Sequence, residues 1–159
     1  MDEAAKRTVL RKFTYGLYAI TVRDGEHRNA FTANWVSQVS FEPPMVMVSV
    51  ENDGESIKLI QASGRFAVSA FQAGQRELAG ALGRKSRNAP NKLDGVATTD
   101  SPGGLPILQD ALGWLECRVA GKLPAGDHTL YLAEVVEAGV VHEEAEGLTM
   151  KETGFRYFG

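Results

Sequence analysis

NAFTANWVSQVSFEPPMVMVSV, residues 29–50, decides how the chain is read. Its first half alternates. Phe31, Ala33, Trp35 and Val39 fall on odd positions, and Thr32, Asn34, Gln38 and Ser40 on even ones. A strand sends successive side chains to opposite faces, so this spacing predicts a strand from about His27 to Ser40 with one apolar and one polar face. Pro43 and Pro44 cannot donate to a ladder and stop it. Met45 to Val50 is apolar on both faces, as a buried strand is. An alternating strand, a proline turn and a buried strand together describe one wall of a closed β-barrel.

Working outward, residues 17–23 (LYAITVR) predict a strand that turns at Asp24-Gly25 into the one above. Residues 3–14 carry Ala5, Val9 and Phe13 at helical spacing, with Gly16 to end the helix. Downstream, a helix is expected over 52–62, capped by Asn52 with Glu55 in capping-box register and closed by Gly64. A buried strand over 65–71 and a short helix over 75–82 follow. Residues 83–104 form a loop punctuated by Pro and Gly. In the strand over 114–120, Leu115, Cys117 and Val119 face one way, and Trp114, Glu116 and Arg118 the other. A turn at 124–127 leads to a long strand over 129–141, and residues 149–158 are expected to pair as a last short strand. The pattern predicts one mainly β domain over residues 1–159, a Greek-key type barrel with three short helices.

The 159 residues are 43% hydrophobic and 23% charged, with a net charge of −3. That composition suits one globular domain and gives no basic stripe for nucleic acid. No apolar run is long enough to span a bilayer, and the N-terminus lacks a signal-peptide core, so a cytoplasmic protein is expected. The single cysteine, Cys117, sits on an apolar strand face and suits core packing better than a nucleophile. His27, His128 and His142 lack metal-ligand spacing. No nucleophile elbow, Walker loop or dinucleotide fingerprint is present, so any use of NAD(P)H does not rely on a Rossmann domain.

Four segments carry candidate chemistry. Thr32, Ala33 and Asn34 offer the small and hydrogen-bonding neighbours that a flat ring ligand needs, although a solvated sheet face has the same pattern. Val50 to Ser56 joins a strand to a helix N-terminus, which suits an anion, but Glu51, Asp53 and Glu55 would repel one; an ordinary capped helix reads the same way. Arg84, Lys85, Ser86, Arg87 and Lys92 could clamp a phosphate or form a solvated loop. His128, after Asp127 in a glycine turn, could contact a ring or simply cap the turn.

Four stretches, FTYGLYAITV, NAFTANWVSQVSFEPPMVMVSV, GRFAVSAF and LGWLECRVAGKLPAGDHTLYLAEV, occur in the order and at about the spacing of the flavin reductase-like, FMN-binding split-barrel family. The chain resembles that family over nearly its whole length. It is also similar to the module at the C-terminal end of cyanobacterial diflavin flavoproteins. The resemblance implies a split barrel and a homodimer with FMN in a groove between subunits. Thr32, Ala33, Asn34 and Trp35 would lie along the isoalloxazine and ribityl chain. Ser49, Val50 and Glu51 would approach through backbone, and Ser56 at the phosphate end. Lys92 matches the lysine of a family Asp-Lys-Phe segment, while Asn91 and Leu93 depart from it. Arg84, Ser86 and Arg87 could share the phosphate. His128 matches the turn histidine near flavin and nicotinamide, and is the implied catalytic residue. The implied activity is hydride transfer from NAD(P)H to flavin, with electrons passing to an acceptor protein; an FMN-binding electron carrier without NAD(P)H activity is the alternative.

Overall fold

The computed structural model describes residues 1–157. Nine strands and four short helices follow in the order α1 (Glu3–Leu10), β1 (Tyr18–Asp24), β2 (His27–Ala33), β3 (Val36–Ser40), β4 (Met45–Glu51), α2 (Glu55–Ser63), β5 (Arg65–Ala70), α3 (Arg76–Leu82), β6 (Thr98–Asp100), β7 (Pro106–Leu108), β8 (Gly113–Ala125), β9 (His128–Val140) and α4 (Met150–Thr153). Seven strands form one antiparallel sheet in the order β2-β1-β5-β8-β9-β4-β3, and β6 and β7 pair separately.

The two edges of that sheet, β2 and β3, are consecutive in the chain. Only Asn34 and Trp35 lie between them. Three peptide steps span at most about 11 Å, so the link holds the edges together at this corner and closes the sheet into a barrel. The strand expected over 27–40 is therefore two strands with a break at Asn34-Trp35. Beyond Ala33, which pairs with Tyr18, the ladder of β2 with β1 ends.

One core fills the barrel. Ile20, Val22, Val48, Val50, Phe66, Val68, Cys117 and Tyr131 meet Ile57 and Ile60 of α2 there. The buried residues of β4, Val46, Val48 and Val50, alternate with partly buried neighbours. A second cluster under α3 and α4 joins Leu17, Phe71, Leu82, Leu93, Leu148 and Met150. In β8, Cys117 is buried, and Leu115 and Val119 pack against the barrel core, as the alternation predicts.

Several local expectations are corrected. The N-terminal helix ends at Leu10, with Arg11 as its C-cap, and Gly16 instead bridges to Thr149. Asn52 does not cap α2. The pairing of Glu51 with His128 brings the β8–β9 turn alongside, and Asn52 donates to the Gly126 carbonyl and accepts from the Thr129 hydroxyl. Gly54 is the N-cap and brings no side-chain hydrogen bond, whereas Gly64 closes the helix in the left-handed conformation as expected. The tail expected as a strand contains α4, capped by the Thr149 hydroxyl and ended by Gly154. The part of that expected strand at Phe158 lies outside the described residues.

Glu116, on the other face of β8, is buried. It is 3% exposed, bound by Arg65 and by the Gly103 amide at 2.9 Å, beside a register shift at Glu116/Cys117. Burial alone would raise its pKa, but hydrogen bonds from Ser101, Arg65 and Gly103 hold it below the usual value. Its stabilisation is therefore full above about pH 4.3, the ordinary glutamate value, and is lost as pH falls through the depressed folded-state value. In thermal melts, Glu116→Gln is expected to fall below the parent at neutral pH, with the gap narrowing on acidification. A Cβ at Gly103 would fall onto the Arg65 guanidinium and the Glu116 carboxylate, so Gly103→Ala is expected to cost about 3 kcal/mol in chemical denaturation.

Candidate functional site at the barrel break

Where β2 leaves the ladder, a cleft of about 470 Å³ opens. Its walls are the end of β2 with Asn34 and Trp35, the end of β4 from Ser49 to Glu51, and the start of α2. The α3 helix, the 83–86 turn, Lys92 and residues 155–157 complete them. That volume lies in the range of small-molecule sites. The neighbours are small where walls approach each other. Thr32 donates from its hydroxyl to the Ala79 carbonyl at 2.6 Å, and a Cβ on Gly83 would stand 3.6 Å from that of Thr32. Trp35 keeps one link to the sheet, accepting from the Ser49 amide at 3.0 Å.

Sequence reasoning passed over Asn29, which organises the polar end. It lies on β2 at 4% exposure, and its amide nitrogen donates to the hydroxyls of Ser56 (3.1 Å) and Ser86 (2.8 Å). The α2 N-terminus and the basic turn are thus tied to one strand residue. The Asn29 carbonyl oxygen is buried and has no hydrogen-bond partner among the described residues. Together with the α2 N-terminus, which has no side-chain cap, it leaves unmet hydrogen-bonding capacity beside the cleft. A ligand bearing both acceptors and donors, such as a flavin with its ribityl hydroxyls and phosphate, fits that donor set.

Each acidic residue expected to repel an anion has a lysine partner, although Lys85 is shared by two of the three. Lys85 pairs with Glu51 and with Asp53, and Lys58 pairs with Glu55. Burial by itself would raise the Glu51 pKa, but hydrogen bonds from Lys85 and Tyr157 and nearby positive charge bring it below the ordinary value. Lys92 donates to the carbonyls of Leu82 (3.0 Å) and Arg84 (2.5 Å), which pins the turn, and its burial lowers its pKa to about 8.

Of the residues singled out in the sequence, Thr32, Ala33, Asn34, Trp35, Ser49, Val50, Glu51, Ser56, Arg84, Ser86 and Lys92 all line this cleft. Arg87 does not; it faces the adjoining hollow beside Asn29 and Asp53. His128 does not line it either. It is 7% exposed and lies behind Trp35, ring centroids 4.8 Å apart. Asp127 meets its Nδ1 at 2.6 Å and the Tyr157 hydroxyl its Nε2 at 2.9 Å. The tail was missed as part of the site. Phe155 lies over Gly80 with Arg76 above its ring, and Tyr157 packs against Trp35 at 5.3 Å. Cys117 is buried in the barrel core, where burial pushes its thiol up to about 12, away from nucleophilic use. Among the described residues, no group of three or more His, Cys, Asp or Glu side chains comes together as a metal site, and no helix is long and apolar enough to cross a membrane.

Residues 10–159 match the flavin reductase like domain. The chain belongs to that family. It is 37% identical over 135 residues to diflavin flavoprotein A 1 of Synechocystis sp., covering 84% of this chain but only 23% of that protein. It is 33% identical over 161 residues to an NADH-dependent FAD reductase of Streptomyces globisporus, covering 99% of this chain and 86% of the relative. Among solved structures, the NADH:FAD oxidoreductase of the same species in complex with NAD and FAD fragments superposes with a TM-score of 0.86 at 30% identity, over 99% of this chain and 93% of that one. The fold is that of the flavin reductase split barrels.

The Lys92 ammonium is mostly protonated below about pH 8 and loses its charge above it. Any attraction of Lys92 for an anion in the cleft is therefore present at low pH and fades as pH rises. Fluorescence-quenching titrations with FMN are expected to weaken several-fold between neutral and alkaline pH, and Lys92→Arg to flatten that dependence.

Proposed function

We propose that this chain is an FMN-binding NAD(P)H:flavin oxidoreductase, working as a cytoplasmic homodimer that passes electrons to an acceptor protein. The observation that carries the reading is the cleft at the barrel break. It combines a floor of small residues, hydroxyl and amide groups along one side, and an uncapped helix N-terminus beside a basic turn. Residues Thr32 to Trp35 and Ser49 to Glu51 would hold the ring, with Asn34 buried and its amide already oriented by the Tyr157 carbonyl at 3.4 Å. Ser56, Ser86, Arg84 and Lys92 would hold the phosphate, positioned through Asn29. When bound, a flavin supplies the hydride-accepting chemistry.

The protein's part is to fix the rings in near-attack geometry and exclude water. The tail residues 155–157 and Trp35 line the cleft on the side where they would serve that end. FMN is taken as the flavin in this reading because the α2 N-terminus and the basic turn suit a terminal phosphate, and relatives named for both flavins occur. Self-association is supported by exposed apolar residues: Val9 on α1, which buries none of its residues, together with Phe41, Leu123 and Val140. The cytoplasmic assignment is supported by a single buried, unpaired cysteine. The electron-carrier reading is favoured by one observation, that His128 has both ring nitrogens engaged by Asp127 and Tyr157.

Stopped-flow mixing of the FMN-loaded protein with NADH or NADPH separates the two. Loss of the flavin's visible absorption at least tenfold faster than for free FMN is expected. A rate equal to that of free FMN would reject the reductase reading.

A further inference from the structure

Residues Asp127, His128, Tyr157, Glu51 and Lys85 form one unbroken hydrogen-bonded chain that reaches the cleft at its last three members. Tyr157 is its middle member. Its hydroxyl donates to Glu51 Oε1 at 2.7 Å, and its oxygen lies 2.9 Å from His128 Nε2, from which it accepts in the tautomer that carries the proton there. Asp127 Oδ1 lies 2.6 Å from Nδ1. Neither nitrogen of His128 is left for a substrate. The tyrosine ring adds contacts to Trp35 and, edge-on, to His128 at 6.2 Å.

The hydroxyl presents an acceptor to an N–H and a donor to a carboxylate, side by side. A primary carboxamide presents the same pair, its oxygen to His128 and its NH₂ to Glu51. Reduced nicotinamide carries such a group. The tail that supplies the hydroxyl is lightly held. Residues 155–157 make no backbone–backbone hydrogen bond among the described residues. The Tyr157 carbonyl accepts one long bond from Asn34, and Tyr157 itself is 39% exposed. Phe155, seated on Gly80, is the firmer anchor, so Tyr157 can swing while Phe155 stays.

We propose that Tyr157 is an intramolecular latch that holds the contacts on His128 and Glu51 a nicotinamide carboxamide would take, so the tail withdraws as the pyridine nucleotide binds. The idea rests on the reductase reading for its ligand, but the latch itself can be tested without turnover. Trypsin can cut after Arg156, next to the latch, and mass spectrometry reads the loss of the last three residues. In the FMN-loaded full chain, Tyr157→Phe keeps the ring and removes only the hydroxyl. Its cleavage at Arg156 is expected to be about three- to tenfold faster than in the parent, the scale of one or two lost hydrogen bonds. At sub-saturating NADH, flavin reduction is expected to quicken by a similar factor through a lower KM, with kcat little changed.

Equal cleavage in the two proteins would overturn the latch. So would slower reduction in Tyr157→Phe, which would make Tyr157 a positioning residue for His128. If neither protein oxidises NADH, the reductase reading fails, and cleavage still decides whether the hydroxyl holds the tail.

Discussion

The two-residue link at Asn34-Trp35 is the constraint on which the site depends. It ties the first and last strands of a seven-stranded antiparallel sheet, so the barrel closes without a ladder across that corner. Two backbone units leave the sheet there, and the space they vacate is the cleft. A continuous strand would have sealed the wall. A longer loop would have let the edges drift apart and lost the small, fixed spacing between Thr32, Ala79 and Gly83. Closure and cleft are thus one feature. The hydrophobic core behind it, with Val48, Val50 and Ile57, keeps the cleft walls in register.

Charge around the cleft is arranged in pairs. Three carboxylates stand near the α2 N-terminus, where alone they would exclude an anion. Lys85, shared by two of them, and Lys58 offset them in part, while Lys92 fixes the 82–84 turn through carbonyls. What remains for a ligand is local and directional: helix N–H groups without a side-chain cap, hydroxyls held by Asn29, Arg84, and the third N–H of Lys92. That arrangement favours a ligand whose negative charge is confined to one end. No acid, base or nucleophile of the protein needs to take part, which is consistent with a cofactor that carries the chemistry.

Much of the fold was legible in the sequence because it is local. Alternation over 29–40, the Pro43-Pro44 stop and the apolar run of β4 placed strands within a few residues of their observed bounds. Gly64 and Gly83 ended helices where expected. The break at Asn34-Trp35 was hidden because both residues obey the alternation: a polar one on an even position and an aromatic one on an odd position. Asn29 was hidden for a different reason. Its partners are 27 and 57 residues away, so no local pattern marks it. Tyr157 meets Glu51 across 106 residues, and the aromatic composition of its segment suits a strand as well as a cap on a cleft. Asn52 shows the same limit in reverse: a sound capping signal was overridden when strand pairing brought Gly126 and Thr129 within reach.

The central claim is that the break in the barrel wall is a flavin site. A crystal structure of the full chain grown with FMN tests it most directly. The account predicts the ring against residues 32–35 and 49–51, with its phosphate beside Ser56, Ser86, Arg84 and Lys92. FMN bound at any other surface, or crystals that leave this cleft filled only by solvent at saturating FMN, would contradict it.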